Sequence, residues 1–222
     1  MARFFVRLRR TQNDSIGFFG LFQQPPKSVS ALRREVELDK ERIADAVREI
    51  IAAVGEDPER EGLRETPRRI ASMYAELFSG IGADPCAVLT AGFDEPHDEM
   101  VILKDIPFYS LCEHHFAPFQ GAVHIGYIPN GRVVGVSKLA RLVEIFARRP
   151  QLQERLTSQV ADCIVDCLNP DGVAVVIEAE HACMSFRGVR KPGTRVVTSA
   201  MRGRFRKSSV TRSEFLSLVR GR

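Results

Sequence analysis

The sequence predicts an α+β protein in which helices pack on one face of an antiparallel sheet. Apolar residues recur at helical spacing from Leu38 to Val54. Segments rich in β-branched and aromatic residues follow at 119–128 and 173–179, as expected for strands. A turn signal, Pro129-Asn130-Gly131, ends the first of these strands and predicts that the chain reverses there.

Two helices are predicted before the sheet. The first runs from Leu38 to Val54 and places five apolar residues on one face: Ile43, Val47, Ile50, Ile51 and Val54. The second begins with Thr66 as N-cap and Pro67 in the first turn, and ends near Gly80. Its buried stripe is expected to comprise Ile70, Met73, Tyr74 and Leu77. Residues 81–98 are expected to form a loop.

Further elements are predicted around the longer strands. Short strands are expected at 100–103 and 132–136, and residues 194–200 are expected to pair with the strand at 173–179. Ser137 is expected to cap a helix that runs to about Ala147, and residues 151–168 form the next helix after Pro150. Thr211 and Glu214 form a capping-box pattern that begins the last helix.

The 222 residues divide into three parts. Residues 1–30 carry four arginines before the first acidic residue, Asp14, and Pro25-Pro26 interrupts regular structure, so we expect a disordered N-terminal extension. An organelle-type presequence is the weaker alternative. Residues 31–98 are expected to form an N-terminal helical region, and residues 99–222 the domain that carries the sheet.

Composition places the chain among soluble globular proteins, with 44% hydrophobic and 27% charged residues. No apolar run approaches the length of a membrane span. The five cysteines are odd in number, and no convincing signal peptide precedes them. Both features favour a reducing compartment with free or metal-bound thiols, and so a cytoplasmic protein.

A basic segment lies near the C-terminus. From His181 to Ser213 there is no Asp or Glu, whereas nine basic residues occur: Arg187, Arg190, Lys191, Arg195, Arg202, Arg204, Arg206, Lys207 and Arg212. Such a segment indicates a polyanionic partner, either a nucleotide phosphate chain or a nucleic acid. A solvated basic face is the alternative.

Thiol and imidazole side chains concentrate at residues 110–115, which read Ser-Leu-Cys-Glu-His-His. His181 and Cys183 supply the same chemical types downstream. Cys112, His115 and Cys183 together would suit a zinc ion, which takes thiolate and imidazole ligands. Three protein ligands leave a fourth position open, as catalytic zinc requires.

Alternatives remain for these and the other cysteines. A closed structural zinc site would use His181 or His114 as the fourth ligand. Cys163 and Cys167, spaced i, i+4 on a predicted helix, form either a metal pair or, as their apolar neighbours favour, buried packing. No role is predicted for Cys86, His97 or His124.

Several motifs occurring together resemble GTP cyclohydrolase I. They are the stretch 110–115, Gly-Val-Ser-Lys-Leu-Ala-Arg at 135–141, Arg-Pro-Gln-Leu-Gln-Glu-Arg at 149–155, His-Ala-Cys-Met at 181–184 with Arg187-Gly188, and Ser208-Ser209 with Thr211-Arg212. The similarity runs from about Glu37 to the end of the chain. It implies a tunnelling fold (T-fold), in which the sheets of several subunits join into a barrel. It also implies a homodecamer of two pentamers with shared active sites, and is compatible with allosteric regulation.

The resemblance further implies an activity: GTP and water give formate and 7,8-dihydroneopterin triphosphate, which opens folate, one-carbon and tetrahydrobiopterin metabolism. Matched residue by residue, the zinc ligands would be Cys112, His115 and Cys183. The residues that move protons would be His114 and His181. Guanine would be read by Glu154 with Gln153. The triphosphate would be bound by Ser137, Lys138, Arg141, Arg187 and Arg69.

The residue types suit these roles. Glu154 can accept hydrogen bonds from guanine N1–H and N2–H at once, although a solvated carboxylate paired with Arg155 or Ser158 is the alternative. His181 and Cys183 would face one pocket if the backbone between them were extended. An unperturbed histidine side chain has a pKa near 6.5, which suits proton transfer near neutral pH. The alternative is that each histidine merely orients a metal ligand.

Two other functions compete. A nitrile reductase of queuosine biosynthesis shares this fold, but it uses a nucleophilic cysteine and a nicotinamide cofactor, and the three-ligand pattern argues against it. A zinc-stabilised nucleic-acid-binding module would explain the basic segment. The absence of aromatic residues interleaved with the basic ones argues against it, so we expect neither a nucleic-acid nor a membrane partner.

Overall fold

The computed structural model describes residues 38–90 and 92–221, all within one compact unit, Glu35–Arg222. The extension predicted for residues 1–30 lies outside the described residues, and the boundary at 98/99 stays a prediction. In chain order the helices are α1 Lys40–Ala53, α2 Thr66–Leu77, α3 Val136–Ala147, α4 Gln153–Leu168, α5 Ala182–Ser185, α6 Arg204–Lys207 and α7 Ser209–Arg220. The strands are β1 Gly92–Asp94, β2 Val101–Cys112, β3 Pro118–Ile128, β4 Arg132–Val134, β5 Pro150–Gln151, β6 Gly172–His181 and β7 Arg195–Gly203.

A five-stranded sheet organises the molecule, with strand order β5-β2-β3-β6-β7. All neighbours pair antiparallel except β5, which runs parallel to the end of β2. Strands β1 and β4 form a separate two-stranded sheet. The α+β prediction with an antiparallel sheet is therefore confirmed.

The main core lies between one face of the sheet and the helices α3 and α4. Strand side chains alternate between faces, so β3 directs Val123, Ile125 and Tyr127 toward this core. A smaller cluster lies on the opposite face, where Phe205 of α6 and Phe215 of α7 pack on alternate sheet residues. The prediction that helices pack on one face is therefore correct for α3 and α4. Helices α6 and α7 add a second layer on the opposite face.

Helix starts differ from the sequence prediction by a few residues. Gly135 holds the N-cap position of α3, so Ser137 lies inside the helix. Residues Pro150 and Gln151 pair with β2, which delays the start of α4 to Gln153. The Ser208 side chain caps α7 by accepting from the Thr211 N–H at 3.2 Å, so the capping box predicted from Thr211 is wrong.

The first strand of the main sheet is much longer than the predicted 100–103, because β2 continues to Cys112 with a register shift between Leu103 and Ile106. Residues 81–98, predicted as a loop, contain a 3-10 turn at Cys86–Val88 and the strand β1.

The apolar stripe predicted for α1 is only partly buried, since Ile50 and Val54 are 61% and 73% exposed. The stripe of α2 also differs: Pro67 and Ala71 are its buried residues, and Met73 is exposed.

Gly80 fixes the end of α2 against α3. Its N–H donates to the Arg148 carbonyl at 2.9 Å, and the Arg149 guanidinium donates to the Gly80 carbonyl at 2.7 Å. A Cβ at this position would come 2.1 Å from the Ile145 carbonyl oxygen, so only glycine permits this approach. Within the described part of the chain, every helix is too short or too polar to cross a membrane.

Candidate active site

The first two predicted metal ligands lie where β2 ends. Cys112 is the last residue of the strand and is buried, and its N–H donates to the Ala117 carbonyl at 2.9 Å. The Phe116 N–H returns to the Cys112 carbonyl at 2.8 Å, with a positive φ of 50° at Phe116. This tight turn exposes the side chains of His114 and His115 beside the buried thiol.

A bidentate ion pair fixes the same turn to α4. The Arg155 guanidinium donates to both carboxylate oxygens of Glu113. This hydrogen bond lowers the pKa of Glu113, with a smaller contribution from the charge of Arg155. Because Arg155 is engaged here, the alternative in which it neutralises Glu154 is not what the structure shows.

The third ligand arrives by a different backbone path from the one predicted. Strand β6 ends at His181, and Cys183 lies in the short helix α5. The argument from an extended backbone is therefore wrong, because the chain turns helical directly after His181. The metal set still assembles: one donor atom each from Cys112, His115 and Cys183 lie within 4.8 Å of one another.

The electrostatic effects on this set oppose one another. Burial raises the pKa of Cys183, as does the neighbouring Cys112 thiol, whereas the Arg187 charge lowers it. Arg187 Nη1 donates to His115 Nε2 at 2.8 Å. The imidazole lone pair therefore already faces a positive group. Two thiols and an imidazole are the ligand types that zinc prefers.

The predicted proton carrier His181 is held by Gln153, the first residue of α4. Gln153 is 1% exposed, and its Nε2 donates to the carbonyl oxygens of Ile177 at 3.1 Å and Val196 at 2.9 Å. The amide nitrogen must face these two acceptors, so Oε1 is the atom that meets His181 Nε2 at 2.8 Å. His181 therefore carries its proton on Nε2, and Nδ1 remains for chemistry.

Phe119 completes the support of His181. The two residues are directly paired across β3 and β6, and their rings stack at 4.6 Å with an interplanar angle of 5°. Burial lowers the pKa of His181, and the charge of Glu154 opposes this shift. The imidazole is thus flat against an apolar ring on one side and within reach of a carboxylate.

Glu154 is exposed, and its carboxylate has no hydrogen bond or ion pair with residues 38–90 or 92–221. Glu154 is the second residue of α4, directly after Gln153, and its charge acts on the pKa of His181. The side chain of Gln153, which was predicted to read guanine with Glu154, is already hydrogen-bonded within the protein.

The predicted triphosphate residues are only partly brought to this site. Arg187 contacts His115 directly. Ser137, Lys138 and Arg141 lie on α3, and Arg69 lies on α2. Among the described residues, no hydrogen bond or ion pair joins these four side chains to the metal set.

The remaining cysteines are not all simply packed in the core as free thiols. Cys163 is buried as expected, but Cys86 and Cys167 form a disulfide across 81 residues. The expectation that all thiols are free or metal-bound is therefore wrong for this pair.

Three other contributions were not predicted from the sequence: the stacking of Phe119, the positioning role of Gln153, and the ion pair of Glu113 with Arg155. The alternation of β3 predicts that Phe119 faces the core, but strand pairing alone reveals that it lies opposite His181.

Comparison with known proteins identifies the family. The GTP cyclohydrolase I family matches residues 43–220. GTP cyclohydrolase 1 of Dehalococcoides mccartyi strain 195 is 65% identical over 183 residues, covering 82% of this chain and 97% of that protein. GTP cyclohydrolase 1 of Thermobifida fusca strain YX is 60% identical over 187 residues, covering 83% and 90%.

Among solved structures, the apo form of the archaeosine synthase QueF-Like is similar at 21% identity, with a TM-score of 0.38 over 47% of this chain and 93% of that chain. The family match, by contrast, extends over the whole sheet and confirms the tunnelling fold predicted from the sequence motifs. The chain belongs to the GTP cyclohydrolase I family.

Proposed function

We propose that this chain is a zinc-dependent GTP cyclohydrolase I, which opens the guanine imidazole ring of GTP by hydrolysis. The products are formate and 7,8-dihydroneopterin triphosphate, the first intermediate of folate and pterin biosynthesis. Family membership supports the reaction. The structural observation that carries the proposal is the convergence of Cys112, His115 and Cys183 next to His181.

The donor set supports a zinc site with an open position rather than a closed one. His114 and His181 lie outside the set of donor atoms within 4.8 Å, and His181 Nε2 is engaged by Gln153. When bound, zinc supplies a Lewis acid that lowers the pKa of water to about 7. A fourth protein ligand would remove that capacity.

His181 is proposed to move the proton that ring opening requires. Addition of water at guanine C8 releases a proton and places negative charge on the ring nitrogens. A neighbouring neutral imidazole can take up that proton and then donate it to a ring nitrogen. Gln153 holds His181 with Nδ1 as the available atom, and Phe119 fixes the plane of the ring. His114, exposed on the turn beside His115, is proposed as the second proton carrier.

Substrate recognition is assigned to the remaining polar groups. The exposed carboxylate of Glu154 offers two acceptors to the two adjacent N–H donors of guanine, a pattern that adenine lacks. Arg187 lies at the metal set and can bind a phosphate in a bidentate way. The other proposed phosphate ligands are Ser137, Lys138, Arg141 and Arg69, with Gln153 assisting at guanine mainly through its position.

We further propose a homodecamer of two pentamers with sites shared between subunits. Within the described residues, no hydrogen bond or ion pair joins the α3 residues to the metal set. This supports sharing, because a triphosphate can extend across a subunit boundary. Large apolar side chains exposed on the described surface, including Tyr109 and Val197, support burial by a neighbouring copy. Such a ring allows allosteric coupling between sites. We place the enzyme in the cytoplasm, where GTP is available, with no nucleic-acid or membrane partner.

The direct test is incubation of the metal-replete protein with GTP. We expect release of formate and, after oxidation, a fluorescent pterin. His181→Ala should retain metal and GTP binding while ring opening falls about 10²–10⁴-fold. Absence of both products from the metal-replete wild type would refute the proposal. Binding that ignores the base and falls steeply with salt would instead favour a nucleic-acid-binding module.

A further inference from the structure

A second sulfur cluster lies outside the residues used above. It combines Cys86 of the 3-10 turn with Cys163 and Cys167 of α4. Cys163 is ten residues further along α4 than Gln153, a rise of about 15 Å. Its Sγ lies 4.0 Å from Cys86 Sγ and 3.7 Å from Cys167 Sγ. The other two sulfurs are joined as a disulfide.

We propose that Cys86, Cys163 and Cys167 form a second metal site, which binds one zinc ion or a similar thiophilic divalent cation once the disulfide is reduced. These three cysteines take no part in the proposed catalysis. The donor set of this second site is also softer than that of the catalytic site, because three thiols replace two thiols and an imidazole.

The geometry fits such an ion. Tetrahedral zinc with Zn–S bonds of about 2.3 Å holds its sulfur ligands about 3.8 Å apart. The two distances measured from Cys163 lie on either side of this value. Cys163 and Cys167 are four residues apart and therefore lie on one face of α4, and the Cα atom of Cys86 is 5.9 Å from that of Cys167. Reduction only has to let two sulfurs separate; no backbone element has to be brought in.

The surroundings are negative. Burial raises the pKa of Cys163 to about 12, and the carboxylates of Asp166 and Asp84 add to the shift. Asp84 is held at the site, because its Oδ1 accepts from the Cys86 N–H at 3.0 Å. A divalent cation would offset the negative charge of these two carboxylates.

The chemical steps balance. Two equivalents of an external thiol reduce the Cys86–Cys167 disulfide, giving two protein thiols and one external disulfide. Three thiols then bind one divalent cation and release three protons. The bound ion would join the turn that precedes β1 to the C-terminal half of α4, as the disulfide does in its absence.

The test counts metal on the full-length protein. The wild type and variants are reduced with excess dithiol, stripped of metal, desalted without oxygen and equilibrated with Zn²⁺, and bound zinc is measured by atomic emission. We expect two ions per chain for the wild type and one for Cys163→Ala. Cys112→Ser, which empties the catalytic site instead, should also bind one, and the double variant should bind none.

Cys163→Ala is the decisive variant because it leaves both disulfide partners in place. Cys86→Ser, at a partly exposed position, should lose the same ion and guards against a packing defect at the buried site. Cobalt in the Cys112→Ser background should show thiolate charge-transfer absorption that disappears with Cys163→Ala. One ion per chain in the reduced wild type, unchanged by Cys163→Ala, would overturn the proposal and leave a disulfide beside a buried thiol.

Discussion

Gln153 and His181 are joined by a hydrogen bond of 2.8 Å whose direction is set by the rest of the fold. The Gln153 amide nitrogen faces two backbone carbonyl oxygens, so its oxygen must accept the proton on His181 Nε2. This bond selects one imidazole tautomer and holds it in place. Glutamine does here what a carboxylate or carbonyl does for many functional histidines, without adding a charge.

We expect Gln153→Leu to lower kcat about 10–100-fold, because His181 loses the partner that selects its tautomer. The KM for GTP should change much less, and the pH–rate profile should move, which a purely structural defect would not cause. Gln120→Leu, on an exposed position of β3, is the matched control. A pH–rate profile identical to that of the wild type would exclude the positioning role.

The metal set should be indispensable for turnover. Removing metal with a chelator should abolish activity, and Cys112→Ser, His115→Ala or Cys183→Ser should each lower the metal content of the catalytic site. The cluster of Cys86, Cys163 and Cys167 is also proposed to bind metal when it is reduced. The assay should therefore be run on protein in which the Cys86–Cys167 disulfide is intact. Full activity at zero bound metal would contradict the site.

Base recognition by Glu154 can be separated from triphosphate binding. Glu154→Gln replaces one acceptor by a donor that opposes guanine, so GTP should bind about 5–150-fold more weakly, which corresponds to about 1–3 kcal/mol. Inosine triphosphate lacks the N2 amino group and should lose less. Glu144→Gln on α3 serves as control. Equal losses for GTP, ATP and triphosphate would mean that Glu154 does not read guanine.

Sharing of the pocket predicts complementation between inactive variants. Glu154 acts on His181 within one chain, so the complementary half is expected on α3 rather than at Glu154. Cys112→Ser co-expressed with Arg141→Ala should therefore regain a fraction of wild-type activity in mixed oligomers.

The control pairs Cys112→Ser with Glu154→Ala, two changes expected in the same half, and should show no recovery. A verified mixed oligomer of Cys112→Ser and Arg141→Ala that is no more active than either parent would remove the claim of shared sites. The proposed zinc chemistry would be unaffected.

The burial of His124 leads us to expect that the free energy of unfolding depends on pH. This histidine is buried on β3, and its Nδ1 accepts from the Asp105 N–H at 3.1 Å, where the backbone has a positive φ of 59°. Burial lowers the pKa of His124 below 6.5, although the charges of Asp105 and Glu178 act in the opposite direction. The folded protein therefore favours the neutral ring.

Above about pH 6.5 neither the folded nor the unfolded state binds a proton at His124, so this residue gives no pH dependence. As the pH falls below that value the unfolded state binds the proton first, and the free energy of unfolding should decrease. His124→Gln, measured by denaturant unfolding between about pH 7.5 and 5, should reduce this decrease. His97→Gln is the control, and an unchanged slope in His124→Gln would exclude the effect.

The candidate metal ligands could be predicted because Cys112, His115 and Cys183 are thiol and imidazole groups within distinctive motifs, and the structure brings their donor atoms within 4.8 Å of one another. The types of the elements were also predictable from periodicity. Both α4 and β6 pack in the same core, and each shows the apolar spacing that is typical of its own element type. The residues at which helices begin were less predictable, because Ser208 and Thr211 are chemically equivalent caps and only the backbone angles select between them.

The sequence by itself therefore determined the family, the fold class and the candidate metal donor set, all of which depend on local pattern or residue chemistry. The tertiary structure alone decided which groups surround those donors. Strand pairing placed Phe119 on His181, helix packing aimed Gln153 at the same ring, and the 3-10 turn delivered Cys86 to α4. These contacts join residues 28 to 81 positions apart, and their distances depend on how the sheet and helices pack, which no local pattern encodes.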